Sequence, residues 1–162
     1  MKICNNKNIH SLQGFTLIEF IIVIILLGII GAIASTRLTD ISSNMRVSSA
    51  INQIISDIEL TKELALAKSS NMTITFDINL EEYTIRENGS LVIDYPGSEN
   101  GVIKLTDGIF SSTDLTSVNL NGSNIINFDK WGNVLNSGTI LLNEDYTISV
   151  SKLSGVTQLN QP

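Results

Sequence analysis

Residues 15–34 read FTLIEFIIVIILLGIIGAIA, twenty residues with a single ionisable side chain, Glu19. At 1.5 Å rise per residue such a helix is about 30 Å long, the thickness of a bilayer's hydrocarbon core. A buried helix of a soluble protein is rarely apolar on every face for so long. The run is therefore expected to be a membrane-spanning helix. Lys2 and Lys7 precede it closely, and the positive-inside tendency then puts the N-terminus in the cytoplasm and the remainder outside. Arg37 and Arg46 on the far side weaken that asymmetry. An ordinary secretory signal has an apolar stretch of about 7–15 residues followed by a small-residue cleavage site. Here the candidate cleavage residue, Gly14, comes before the run. Cutting there would retain the helix and make Phe15 the new N-terminus.

An acid in hydrocarbon is costly, and such a residue is a functional-site candidate by default. Nothing in the run offsets the charge of Glu19, and the one new charge nearby would be the ammonium of Phe15, one helical turn away. An isolated carboxylate is unstable in lipid, whereas a paired one inside a packed bundle is tolerated. A plain signal anchor that lets the acid snorkel to the interface is the alternative. Gly28 and Gly31 would permit close helix approach or local unwinding in a bundle, although their spacing is not GxxxG.

The motif QGFTLIE at residues 13–19, followed by an apolar helix, resembles the class III signal of type IV prepilins and type II secretion pseudopilins. That resemblance implies cleavage after Gly14 by a prepilin peptidase and methylation of Phe15. It also implies that Glu19 acts in assembly by meeting the terminal ammonium of a neighbouring subunit. It covers about a third of the chain. Many major pilins carry a proline where this sequence has Thr36, so no proline kink is expected; this departure points towards a minor pilin or a pseudopilin.

Composition narrows the remaining choices. The only cysteine is Cys4 and the only histidine is His10, both within residues 1–14. A chain starting at Phe15 has neither, which argues against disulfides, thiolate zinc sites, Cys-His and Ser-His catalysis and imidazole ligation. No enzyme activity, cofactor or metal site is expected. Net charge is −6; without Lys2 and Lys7 it is −8, from 8 Lys+Arg against 16 Asp+Glu. Binding to nucleic acid is not expected from such a balance. The roughly 90 residues after the helix must hold together by their core alone.

Beyond Ala34 the chain turns amphipathic. Ile41, Met45, Ile51, Ile54, Ile55, Ile58 and Ala65 recur at three- and four-residue steps, a stripe meant for one sheet. Asp40, Arg46, Asn52, Asp57, Glu59, Lys62 and Glu63 fill much of the remainder. No proline interrupts residues 15–68, so one helix of roughly 50 residues is expected. Past Ser69 the period changes. Residues 72–76, 82–86, 91–95, 102–105, 115–120, 125–128, 139–142 and 146–150 read as short strands, with Asn88-Gly89 a strong tight-turn signal. The expected fold is α+β: a long N-terminal helix, transmembrane then amphipathic, packed on an antiparallel β-sheet domain. The expected organisation is a cleaved leader at 1–14, a membrane and filament-core helix at 15–35, the amphipathic half at 36–70 and a β domain at 71–162.

The segments INFDKWGNV (126–134), GTILL (138–142) and YTISVSKLSGVTQL (146–159) also resemble the GspH/FimT-type minor pilin domain. The resemblance implies a minor subunit of a type II secretion pseudopilus. Its partners would be other pilins or pseudopilins, the prepilin peptidase and the inner membrane. The chain would be single-pass with a periplasmic domain before joining the filament. Alternatives are a minor pilin priming a type IV pilus, including the mannose-sensitive haemagglutinin type, or a membrane-anchored adhesin. Residues 77–82 alternate oxygen donors but lack the glycine and distal glutamate of a calcium loop, and read as a hairpin turn. Asn71, Asn88 and Asn121 match a glycosylation sequon but read as turn residues. Trp131 reads as a cover for a core edge or as an exposed partner contact.

Overall fold

The computed structural model describes residues 15–111, 113–152 and 155–160, with the backbone alone for 34–42 and 155–160. The fold is α+β, with antiparallel sheets. Helix α1 (Leu17–Lys68) is followed by β1 (Met72–Asp77), β2 (Glu82–Glu87), β3 (Ser90–Leu91) and β4 (Val102–Lys104). A 3₁₀ turn (Gly108–Phe110) leads to β5 (Leu115–Leu120), β6 (Ile125–Phe128), β7 (Gly138–Leu142), β8 (Tyr146–Ser151) and β9 (Gly155–Asn160). The chain divides into two compact units, 1–40 and 41–162. Residues 1–14, and with them the expected leader, Lys2, Cys4, Lys7, His10 and Gly14, lie outside the described residues, as do the side chains of Thr36, Arg37, Asp40 and Ile41.

In the second unit the helix buries one stripe: Val47, Ala50, Ile51, Ile54, Ile58 and Ala65. They join Met72, Ile74, Phe76, Tyr83, Ile85, Phe128, Ile140, Leu142 and Ile148 in one core cluster. Two members of the expected stripe differ. Met45 is exposed and Ile55 only partly buried, because the sheets meet the helix along the row through Ala50, Ile54 and Ile58. Lys68 closes α1 with a 2.7 Å ion pair to Glu87.

The strands form two sheets. One follows the order β3-β2-β1-β6 with β4 also on β2; the other runs β5-β7-β8-β9. Alternation along β1 and β2 puts Ile74 opposite Ile85 and Phe76 opposite Tyr83, with the two rings 5.3 Å apart, the cross-strand pairing that stabilises a sheet. Asn88-Gly89 makes the β2–β3 turn with both residues at positive φ, as a primed hairpin turn demands.

The structure revises the expected strand at 91–95. The ladder ends at Leu91, and β4 takes the rest of the outer edge of β2. The reason is visible in the burial. Ile93 and Asp94 are both exposed while Tyr95 turns inward, so the segment leaves the sheet to deliver one phenol to the core. Strand β9, beyond the last strand read from the sequence, pairs with β8 along Thr147–Ser151.

Gly138 begins β7 where β5 approaches most closely. A Cβ there would collide with the Asn119 carbonyl oxygen and sit 2.7 Å from the Leu120 Cα, both backbone atoms that cannot rotate away. Gly138→Ala should therefore destabilise the β domain by about 1–3 kcal/mol, read as a lower urea midpoint by circular dichroism on the detergent-solubilised full chain.

Candidate functional site

The start of α1 is built as a reciprocal cap. Thr16 is the residue before the first helical position, and its carbonyl accepts the first intrahelical bond from the Phe20 N–H (3.2 Å). Its hydroxyl accepts the Glu19 N–H at 3.3 Å. In return the Glu19 carboxylate accepts the Thr16 N–H at 2.9 Å and the Thr16 hydroxyl at 2.8 Å. This is the Thr-x-x-Glu capping box, which satisfies N–H groups that have no partner within a helix. The acid also sits at the positive end of the helix dipole.

The sequence reading found nothing in the helix to offset Glu19; the structure corrects that, because Thr16 supplies two donors. Both bonds fall on Oε2, and Oε1 has no partner among the described residues. Phe15 stands immediately outside the cap and is 71% exposed.

Downstream of the cap, every large apolar side chain from Phe15 to Ile33 is exposed. A Cβ added at Gly28 or Gly31 would meet nothing within 4 Å. The described side chains of this segment are exposed on every face. Contiguous apolar surface on this scale marks an interaction with lipid or protein. From Leu17 to Ile33 the described side chains extend over about 25 Å, short of a hydrocarbon core of about 30 Å. Among the described residues no helix is long and apolar enough to cross a membrane.

The second polar arrangement is internal. Asp57, read from the sequence as part of the solvent face, is 3% exposed. Its carboxylate accepts the Tyr83 hydroxyl at 2.5 Å and the Gln53 amide at 3.0 and 3.1 Å. The Tyr95 hydroxyl donates to the Asp57 backbone carbonyl at 3.1 Å and lies 3.3 Å from the Thr61 hydroxyl. Helix, β2 and the segment after β3 are thereby joined at one point. Burial pushes the Asp57 carboxyl above its ordinary value of 3.8, against the opposing effect of the Tyr83 and Gln53 bonds. Burial likewise raises both phenols, so each stays a donor. The two side chains that bond the Asp57 carboxylate, Tyr83 and Gln53, are both neutral.

The remaining candidates resolve into turn chemistry. The Asp77 carboxylate accepts the N–H groups of Asn79 and Leu80 at 3.0 and 3.1 Å, so this acid organises the β1–β2 turn. Asn88 and Asn121 adopt positive φ. Among the described residues no cluster of histidine, cysteine, aspartate and glutamate could hold a metal ion. Trp131 does not cover a core edge: it is 66% exposed. Its neighbour Gly132 takes the inner position, where a Cβ would lie 2.9 Å from the Lys62 carbonyl oxygen. The capping box was missed, although Thr16-x-x-Glu19 ahead of an apolar run is the signal that could have found it; Asp57 carried no such signal, since an acid four residues from Gln53 looks like any solvated helix pair.

Comparison with known protein-family models, curated proteins and solved structures returns no match.

Because the folded-state pKa of Asp57 is raised above its unfolded value, the group opposes folding when ionised. Its destabilising effect disappears as pH falls through the raised pKa towards the ordinary 3.8. The wild-type chain should thus gain stability from this residue on moving from pH 7 to about pH 4, and Asp57→Asn should lose that gain. The difference between the two urea midpoints, followed across the interval, tests it; parallel curves would show that Asp57 does not titrate differently on folding.

Proposed function

We propose that the chain is a type IV pilin-like subunit, a minor pseudopilin of a type II secretion system. Its apolar helix would be held in the inner membrane and then transferred into a filament. The observation that carries this reading is the N-terminal segment of α1. Its described side chains are apolar and exposed on every face, and it opens on a carboxylate of which one oxygen has no partner among the described residues. Such a segment needs an apolar solvent. A lipid bilayer supplies one, and a bundle of similar apolar helices from other pilins or pseudopilins supplies another.

The acid distinguishes those two environments. In lipid, Glu19 is tolerable because Thr16 satisfies Oε2. In a bundle, a neighbouring subunit can bring the ammonium of its processed Phe15 to Oε1. That exchange rewards one axial register, since a subunit shifted by a turn leaves the ammonium and the carboxylate apart in an apolar surrounding. The half-buried C-terminal part of α1, fixed to two antiparallel sheets, supports the same reading: it gives the helix a folded head that remains outside the membrane. The QGFTLIE motif at residues 13–19 supplies the processing step, with Gly14 preceding the cut and Phe15 following it.

Mass spectrometry of the chain isolated from cells with prepilin peptidase should find methylated Phe15 at the N-terminus; a chain still beginning at Met1 contradicts the proposal. Glu19→Ala should remain membrane-inserted yet fall by an order of magnitude or more in sheared filaments. Wild-type recovery of that variant would remove Glu19 from any role in assembly.

A further inference from the structure

The turn at 129–133 is closed on itself. The Asp129 carboxylate accepts the N–H groups of Trp131 (2.9 Å) and Asn133 (2.8 Å) and the Asn133 side-chain amide (3.0 Å). Backbone bonds run from the Gly132 N–H to the Asp129 carbonyl (2.9 Å) and from the Asp129 N–H to the Asn133 carbonyl (3.0 Å). Gly132 rests on α1, where a Cβ would lie 2.9 Å from the Lys62 carbonyl oxygen and 3.5 Å from the Leu66 Cβ. The turn is thus fixed to the helix through a residue without a side chain, and the residue before it is held outward. Trp131 is 66% exposed and Leu66 57%. An indole and an aliphatic side chain stand together on a rigid support.

The bonds that close the turn use backbone groups and the side chains of Asp129 and Asn133, and the indole ring takes part in none of them. A ring so placed loses little freedom when a partner covers it, and a preorganised tryptophan is the usual form of an interface hot spot.

Three observations select the partner. The first is charge. The Lys130 ammonium lies 5.1 Å from the centre of the Trp131 ring and makes no ion pair among the described residues, whereas the Asp129 carboxylate is committed to the turn. A surface that covers the ring also meets that cation, so its apolar recess needs a carboxylate at the rim. The second is area. An indole buries about 150–250 Å², and even with Leu66 beside it the patch stays well below the roughly 800 Å² per partner of a stable interface in solution. The contact works where other attachments already hold two proteins side by side. The third is place. Tryptophan with lysine also suits a membrane interface, but residue 66 stands 25 positions beyond residue 41, where the second unit begins. That is about 37 Å along the helix axis, at the end away from the join with the apolar segment, so lipid is not the cover.

We propose that Trp131 and Leu66 dock in an acid-rimmed apolar recess on a different pilin or pseudopilin, with Lys130 pairing with the rim carboxylate. This rests on the filament reading and deepens it by naming the surface through which a minor subunit meets an unlike neighbour. The apolar helices supply the attachment, and the turn supplies the choice of neighbour.

The test places a photo-crosslinking residue beside the patch, Ala67→p-benzoylphenylalanine, at an exposed position next to Leu66. The full chain is irradiated in cells that contain prepilin peptidase and the other subunits. One adduct is expected, joining one copy of this chain to one other pilin-like protein identified by mass spectrometry. Adding Trp131→Ala should lower its yield about tenfold or more without moving the urea midpoint, while Trp131→Phe should retain most of it. Lys130→Glu should also lower the yield, and changing the partner's acid at the mapped contact to lysine should restore it. A ladder of this chain alone, adducts only with lipid or with a protein lacking a prepilin signal, or undiminished yield from Trp131→Ala would each overturn the proposal. Absence of adducts from a processed chain recovered in sheared filaments would overturn this contact and leave the filament reading standing. The expected adduct from a chain still beginning at Met1 would keep the contact and sink the filament reading.

Discussion

Burial of one stripe of α1 against the sheets, from Val47 to Ala65, is the interaction on which the folded unit depends. It contrasts with the segment from Phe15 to Ile33, whose large apolar side chains are all exposed. The same element thus follows two rules. Where polar residues interrupt the apolar ones, a stripe forms and a sheet can pack on it. Where they do not, no single face is distinguished, and the surroundings must be apolar on all sides. The first rule makes a domain, and the second makes a segment whose stability belongs to whatever medium receives it.

Within the domain, specificity comes from a polar point in an apolar interface. Ile51, Ile54 and Ile58 would pack acceptably at several axial positions of a helix on a sheet, since branched aliphatic side chains of equal size are interchangeable along a row. Asp57 is not interchangeable. Its carboxylate needs the Tyr83 hydroxyl and its backbone carbonyl receives Tyr95, so only one placement of helix, β2 and the following segment satisfies all three. The ionised acid carries a desolvation penalty, and conformational uniqueness is the return.

Much of this was readable from residue order. Period-two alternation located β1, β2, β5, β6, β7 and β8 to within a residue or so, because each has one face on the core and one outside. Asn88-Gly89 located a hairpin because few other pairs tolerate two positive φ values. What escaped was governed by distant partners. Tyr95 leaves the ladder for a hydroxyl contact with a helix residue 38 positions earlier, and no local pattern signals that. Asp57 and Trp131 exchanged their expected environments for a related reason: an acid can be buried when two phenols and an amide surround it, and an indole can be left outside when a neighbouring glycine fills the close approach. At the N-terminus the motif singled out Gly14, Phe15 and Glu19 as expectations, with Gly14 outside the described residues, whereas the answering role of Thr16 emerged only with the geometry.

The one-sided bonding of Glu19 has a kinetic consequence. A carboxylate with both oxygens engaged must break a bond before it can accept a new donor, and in a medium without water that intermediate is steeply uphill. With Thr16 gathered on Oε2 alone, an arriving cation can bind first and the older bonds can loosen afterwards. On the proposed reading, handover would proceed by addition, with the charge never left bare, and the helix would move from one apolar solvent to another without crossing the barrier that its single acid would otherwise impose.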